Sequence, residues 1–343
     1  MPVEDFQARV RQIQAAERGR ADEEKRQLRM EQLDAGRCKV IPHPKVATRP
    51  FRSERTIEQH SLFLANRYKG TVYTREWMVP HPSGSGEPVT RRVTIGDPDP
   101  RGGGYGVLKQ VHQDVFYKLL ELWADKGYPV MEHDGKVFGV LSMSAYALVT
   151  AVRGDDSAQH YRALRRLLRE MKSIPIALQT IYAWQTKPEQ PEEFSLLYGV
   201  EWDRKGRNYT VTVSFSEFVT EGFLQQNVKT LLGGSYQALG AQGRGSRGEL
   251  AKLLYPFFDG QLATKESFHI KLAKLAERFG LSAMKHRSER KRQFSSALEH
   301  LHGQLILGER YVLHIRLQDS ADGQDYVILA QRESSGQLPL FKD

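Results

Sequence analysis

The chain has 343 residues, with 50 Lys and Arg against 41 Asp and Glu, a formal net charge of +9, and 40% apolar residues. A single cysteine, Cys38, excludes a disulfide framework, a cysteine-rich zinc site and a CxxC redox centre; the apolar fraction excludes a chain disordered throughout. No apolar run approaches the roughly 20 residues that a membrane span needs, and the opening MPVEDFQARVRQ lacks the apolar stretch of a signal peptide, so a cytoplasmic protein of two or three domains, with no membrane contact, is expected.

The first sixty residues carry few large apolar groups. Segment 7–34 favours a helix but mixes charge signs without a sustained heptad, which predicts a charged, flexible arm over 1–60. Over 61–104 the character changes. GTVYTREWMVP and EPVTRRVTIGD alternate like strands, and HPSGSG between them reads as the turn of a β-hairpin. DPDPRGGGYG (97–106) then reads as a loop.

From Val107 the pattern is helical. Leu108, Val111, Val115, Leu119 and Leu122 form one stripe over 107–124, with Phe116, Leu120 and Trp123 beside it. KVFGVLS reads as a strand, 144–152 as a helix ended by Gly154, and 157–172 as a third helix capped by Asp155, Asp156 or Ser157. In that third helix Tyr161, Leu164, Leu168 and Met171 make the apolar face. Arg162, Arg166 and Arg169 lie opposite, with Arg165 on the flank. Two strand-like runs follow, 174–184 and 193–202. Helix, strand, helix, helix, strand, strand is the order of a winged-helix module, assigned here to 105–205.

The order recurs in 206–335, after a linking segment that begins NYTVTVSFSEFV. Helix 246–258 is expected to bury Leu250, Leu253, Leu254, Phe257 and Phe258. Helix 265–279 buries Phe268, Leu272, Leu275, Ala276 and Phe279. Helix 287–302 buries Phe294, Leu298 and Leu301. LILGERYVLHIRL and QDYVILAQ close with a second hairpin. The expected fold class is therefore α+β, with two tandem winged-helix domains behind a partly flexible N-terminal region that carries a β-hairpin.

Enzyme signatures are missing. There is no GxxxxGK[ST], HExxH or GxSxG, and Gly102, Gly103, Gly104 and Gly106 lack the Lys-Ser/Thr partner of a phosphate loop. His300 and His302 stand two apart on a helix, on different faces, so they cannot share one metal ion. His133 and Asp134 read as a polar turn. No catalytic residue, metal or cofactor is expected.

The basic clusters carry the functional signal. Lys285, Arg287, Arg290, Lys291 and Arg292 crowd the start of the last helix, where a recognition helix meets the major groove. Arg287, Arg290 and Lys291 have the reach for guanine edges or phosphates. In the first module Gln159, His160, Arg162, Arg165, Arg166 and Arg169 occupy the equivalent place, partly offset by Asp155, Asp156 and Glu170. Lys271, Lys274 and Arg278 suit backbone phosphates, and Arg310 and Lys187 lie in the wings. On this reading Arg290→Ala relaxes sequence preference, whereas Arg166→Ala weakens all sequences alike. In the tail, 336–343, the run Gln337-Leu338-Pro339-Leu340-Phe341 puts large apolar groups on a polar segment, the mark of an interaction peptide.

These blocks resemble a known family. GVLKQVHQDVFYKLLELW and SAQHYRALRRLLREMKSIPI are similar to the first winged-helix module of plasmid replication initiators, and GELAKLLYPFFDG with KESFHIKLAKLAERFGL to the second. The resemblance spans about 105–335 and is greatest to the iteron-binding Rep proteins. QLPLF is similar to the bacterial sliding-clamp-binding pentapeptide QL[SD]LF, with Gln337, Leu338, Leu340 and Phe341 matching and Pro339 departing from it. The resemblance implies binding to direct repeats in double-stranded origin DNA, opening of an AT-rich segment, and recruitment of the sliding clamp, host initiator and replicative helicase. It implies no ATPase, and forms that include a homodimer. A tandem winged-helix transcriptional regulator, a nicking replication endonuclease and a structural segregation protein are the competing readings.

Overall fold

The computed structural model describes residues 39–40, 51–54, 61–79, 89–96, 106–179, 192–205, 208–224, 228–231, 235–236, 238–239, 246–281 and 286–335. The charged arm 7–34, the HPSGSG turn, most of the glycine-rich loop, Lys187, Lys285 and the 337–341 pentapeptide lie outside them.

The fold is mixed α and β. The expected N-terminal hairpin is present: β3 (Tyr73–Val79) and β4 (Val89–Ile95) pair antiparallel from Tyr73↔Ile95 to Val79↔Val89. It does not stand alone. β7 (Ile176–Gln179) pairs with β4, and β8 (Glu192–Phe194) with β7, so the hairpin is half of a four-stranded sheet. Val93, Ile95, Ile176 and Leu178 are its buried face.

Helix α1 (Gln110–Asp125) buries Val115, Phe116, Leu119, Leu120 and Trp123. Val111 and Leu122 of the expected stripe are only half-buried, while His112, Gln113 and Tyr117 go inside. The reason is position: α1 meets partners on more than one side. Phe116 packs edge-on to Phe215, and on another flank Asp114 accepts hydrogen bonds from the Tyr236 hydroxyl (2.8 Å) and the Lys252 ammonium (3.1 Å). After α1, β5 (Pro129–His133) and β6 (Lys136–Ser144) form a hairpin. Its turn residues Asp134 (φ 51°) and Gly135 (φ 73°) both have positive φ, as a tight hairpin turn between right-twisted strands requires.

Ser144 ends β6 and caps α2 (Ala145–Arg153), accepting a hydrogen bond from the Ala147 amide; Gly154, at φ 86°, closes α2 with a left-handed cap. Helix α3 (Ala158–Ser173) buries Leu164, Leu167, Leu168 and Met171. The run 193–202 then breaks at Ser195-Leu196. Its first part is β8, and its second opens β9 (Leu197–Lys205), which pairs with β10 (Asn208–Phe215). NYTVTVSF, read from sequence as a link, is thus an inner strand. It lies between β6 and β9, with Val211 and Val213 buried on one face and Thr212 and Ser214 on the other. β1 (Lys39–Val40) adds to the free edge of β5, and β11 (Val228–Leu231) pairs with β2 (Phe51–Glu54). Helix α4 (Glu217–Leu224) follows β10.

The C-terminal unit begins with α5 (Ser246–Gln261), which buries the five residues expected of it. The helix expected over 265–279 is split. Ser267–Lys271 is a strand, β12, and only Leu272–Arg278 is helical (α6). Phe268 and Ile270 alternate with exposed neighbours, and their strand pairs with β15 (Tyr326–Ser334) from Ser267↔Gln331 to Lys271↔Val327. Tertiary pairing overrides a pattern that also fits a helix. Helix α7 (Arg287–Leu301) buries Phe294, Ala297, Leu298 and Leu301. The expected long strand after it is broken by a turn at Leu307, Gly308 and Glu309, all at positive φ, giving β13 (Leu305–Ile306) and β14 (Tyr311–Asp319). The sheet order is β12-β15-β14-β13.

Segment 61–68 stitches the two units together. The Leu64 amide donates to Leu108 O (2.9 Å), the Gln110 amide to Leu64 O (2.8 Å) and the Ala65 amide to Phe279 O (3.0 Å). Ser61, Leu62, Phe63, Leu64 and Ala65 are all buried, so one apolar core runs through both units.

Candidate nucleic-acid interface

Helix α7 presents two kinds of cation. Ser288, Glu289, Lys291 and Arg292 are exposed on its first turns. Arg287 and Arg290 turn instead toward the β14–β15 hairpin. Arg287 is paired with Asp319, donates to Gly323 O (2.7 Å), and lies 4.2 Å from the centroid of the Tyr326 ring. Lys291 covers the same ring at 4.8 Å. Arg290 pairs with Asp325 at 3.4 Å, and only 14% of the Arg290 side chain and 7% of the Asp325 side chain are exposed. The other oxygen of Asp325 accepts from the Ala273 amide (2.9 Å), at the first turn of α6. Asp325 therefore ties the hairpin to α6 and α7 together. The geometry gives Arg290 the task of holding α7, in place of the base contact expected from sequence.

Lys271 and Lys274 are exposed at the start of α6. Lys271 donates to Asp322 at 2.9 Å. Hydrogen bonds from the Ser320 hydroxyl, the Lys271 ammonium and the Gln324 amide hold the Asp322 carboxyl far below the usual carboxylate range. Arg278 departs from the expectation of a phosphate contact. Its Nε donates to Ser61 Oγ (2.9 Å), and its guanidinium lies 4.7 Å from the Phe257 ring centroid, facing the interior. Burial, then the neighbouring Arg75, lower its pKa to about 9. Arg310 is exposed and donates to Leu307 O within its own turn (3.1 Å).

On α3, Gln159, Arg162, Arg165, Arg166 and Arg169 are all exposed. His160 is half-buried against Asp155 (2.6 Å), so it serves the start of the helix. The Ser157 amide and then His160 hold the Asp155 carboxyl below its ordinary pKa. Arg166 reaches Glu170 (3.7 Å), and Glu170 meets His112 Nε2 at 2.8 Å on the first turn of α1. Segment 61–68 runs past the same turn: Asn66 Nδ2 donates to Gln110 Oε1 (3.2 Å), and Arg67 donates to Gln293 Oε1 of α7 (2.7 Å). The basic helices α3 and α7 are thereby both linked to the same end of α1.

Sequence reasoning missed several residues here. Arg67 and Lys69 are exposed cations on the stitching segment, within the region 61–104 expected to hold only a hairpin and loop. Tyr146 and Tyr209 are exposed rings beside α3, one on α2 and one on β10. His300 and His302, weighed as a metal pair, each bond a different backbone group: His300 Nδ1 contacts Ser296 O, and the Ile315 amide donates to His302 Nδ1 (3.1 Å). Among the described residues no cluster of three His, Cys, Asp or Glu is placed to hold a metal ion. No helix of the described residues is long and apolar enough to cross a membrane.

No family model matches the chain, and no curated protein sequence matches it. Solved structures with which it shares a chain path include two of RctB. A selenomethionine derivative of domains 2 and 3 of RctB is 11% identical, with a TM-score of 0.49, covering 83% of this chain and 99% of that one. A further structure of RctB domains 2–3 is 12% identical, with a TM-score of 0.46, covering 82% and 96%.

Proposed function

We propose that this chain is a sequence-specific, double-stranded-DNA-binding replication initiator. It is built on two winged-helix modules that bind repeated sites at a plasmid origin. The observation that carries the proposal is the first half of α7. Arg287 and Arg290 lock it to the β14–β15 hairpin, while Lys291 and Arg292 face solvent beside Ser288. A helix so anchored offers its exposed side chains to a DNA groove at little further entropic cost. The order α5, β12, α6, α7, β14, β15, with β12 paired to β15, supports the winged-helix reading of that unit. In the first unit, α2 and α3 followed by the β9–β10 hairpin support the same reading.

Lys291 and Arg292 then read base edges, with phosphate contacts from Lys274, Arg166 and Arg169. Two linked readers gain affinity through effective concentration, and a bent duplex lowers the cost of melting flexible steps nearby. The protein has no catalytic step of its own, works in the cytoplasm, and takes its polymerase machinery from the host. Gln337, Leu338, Leu340 and Phe341 dock the sliding clamp; the host initiator and helicase are further partners, and a homodimer is a further form.

The test is permanganate probing of supercoiled plasmid DNA carrying tandem copies of the bound sequence beside an AT-rich segment. Protein-dependent reactivity of thymines in that segment, with the DNA left uncut, is expected. Protection of the repeats with no thymine reactivity favours a regulator. A metal-dependent strand break favours a nicking enzyme.

A further inference from the structure

A groove of about 470 Å3 opens between the starts of α2 and α3 and the β9–β10 hairpin. Its rings are Tyr146, Tyr161, Trp202 and Tyr209, and its cations are Arg162 and Arg165. Tyr146 is 59% and Tyr209 48% exposed, two of the most solvent-exposed large apolar side chains among the described residues. Their rings are neither core nor cap. Within the groove the Arg165 guanidinium lies 5.7 Å from the Trp202 ring centroid, and at its edge that of Arg204 lies 6.0 Å from Tyr209, so cations and aromatic rings already pair here. The Tyr161 hydroxyl is a neutral phenol that can donate, and burial, then Asp156 and Tyr146, raise its pKa further.

Three ligand chemistries compete for such a surface. An apolar peptide uses the rings but leaves two exposed arginines without a role. A duplex backbone engages the arginines, but its bases are stacked inside the helix, away from the tyrosines. A nucleotide with an unstacked base uses both, because every base has a flat π face and every nucleotide a phosphate.

We propose that this groove is a nucleotide site, with the base stacked on Tyr146 or Tyr209 and the phosphate held by Arg162 and Arg165. The inference concerns a ligand that duplex reading by α7 does not require, and it does not rest on that reading. A free nucleoside phosphate and an unpaired DNA strand share the chemistry, and the two arms of the test separate them.

The full chain is titrated with a fluorescein-labelled fifteen-nucleotide oligothymidylate by anisotropy. In parallel, thymidine monophosphate is added while Trp fluorescence is followed. Tyr146→Ala and Tyr209→Ala are compared with Tyr146→Phe and Tyr209→Phe, and each variant is also tested on duplex DNA. Loss of stacking on one ring is expected to weaken the bound species by about tenfold, with the Phe variants near wild type and duplex binding unchanged. Loss of oligothymidylate binding in the Ala variants assigns the site to an unpaired strand, and loss of monophosphate binding assigns it to a free nucleotide. Binding of neither probe by wild type overturns the proposal. So does oligothymidylate binding that both Ala variants retain, since the contact is then to backbone charge alone. Failure of duplex specificity in wild type, with tyrosine-dependent nucleotide binding intact, counts only against the replication-initiator reading.

Discussion

Arg290 of α7 and Asp325 at the end of the β14–β15 turn form an ion pair at 3.4 Å, with 14% and 7% of their side chains exposed. The same carboxylate accepts the Ala273 amide, so one acid fixes three elements. Removing Arg290 leaves a buried carboxylate that keeps its backbone bond but has lost its ion-pair partner. Arg290→Ala is expected to lower stability by about 2–3 kcal/mol, in the range for breaking a largely buried charged contact. Urea denaturation checks this. A variant as stable as wild type that has lost only base preference would return Arg290 to the reading role expected from sequence.

Lys291→Ala or Arg292→Ala is expected to relax sequence preference by about 1–3 kcal/mol at one base pair, with a stability loss of no more than about 1 kcal/mol, because both side chains are exposed and Lys291 gives up only its surface contact with Tyr326. Arg166→Ala is expected to weaken all duplexes alike and to reduce the slope of log K against log salt by about 0.9. Competition binding against single-base variants of the site, at two salt concentrations, separates the effects.

Gly139 tests the packing of the first unit. A Cβ built there meets the Trp123 ring at 2.3 Å, and the Gly139 amide donates to Thr220 Oγ1 at 2.7 Å, so the strand cannot simply move away. Gly139→Ala is expected to cost about 1–3 kcal/mol by overpacking. The thermal midpoint of the variant reports it.

The β14–β15 turn carries a pH signature. The native Asp322 carboxyl is held far below its ordinary pKa of 3.8. A depressed native pKa favours the folded turn at every pH above the ordinary carboxylate value, and the contribution fades as pH falls through the native one. The Asp322 carboxyl carbon shift is therefore expected to stay that of an ionised acid at pH 3. Titration near pH 4 would show that the Ser320 and Lys271 hydrogen bonds do not persist in solution.

Deletion of 337–341 is expected to spare DNA binding and abolish retention of the sliding clamp. Surface plasmon resonance on immobilised clamp reads it directly, and unchanged retention would sink the clamp assignment.

Much of the fold was legible where a single period dominates. Leu250, Leu253, Leu254, Phe257 and Phe258 recur at helical spacing and are all buried in α5. Residues 265–279 misled because Phe268 is four before Leu272 and also alternates with Ile270; only pairing with β15 decides for a strand. Asn208–Phe215 reads as a link in the sequence because the strands flanking it are distant in sequence or hidden in a run that looks like one strand. In the site, the basic cluster was legible and its division was not. Five cations in eight residues look equivalent in composition. Yet Arg287, Arg290 and Phe294 fall on one helical face, and Phe294 is core, so the spacing to the nearest apolar anchor was the available signal. Tyr146 and Tyr209 carry no such signal, since they meet only through the pairing of β6 with β10.

Selection from a random duplex library, at low and at raised salt, tests the central claim most directly. An extended consensus of about two helical turns, retained at raised salt and found as tandem direct repeats, is expected if both basic helices read one site. A short palindrome, or no consensus at all, would contradict it.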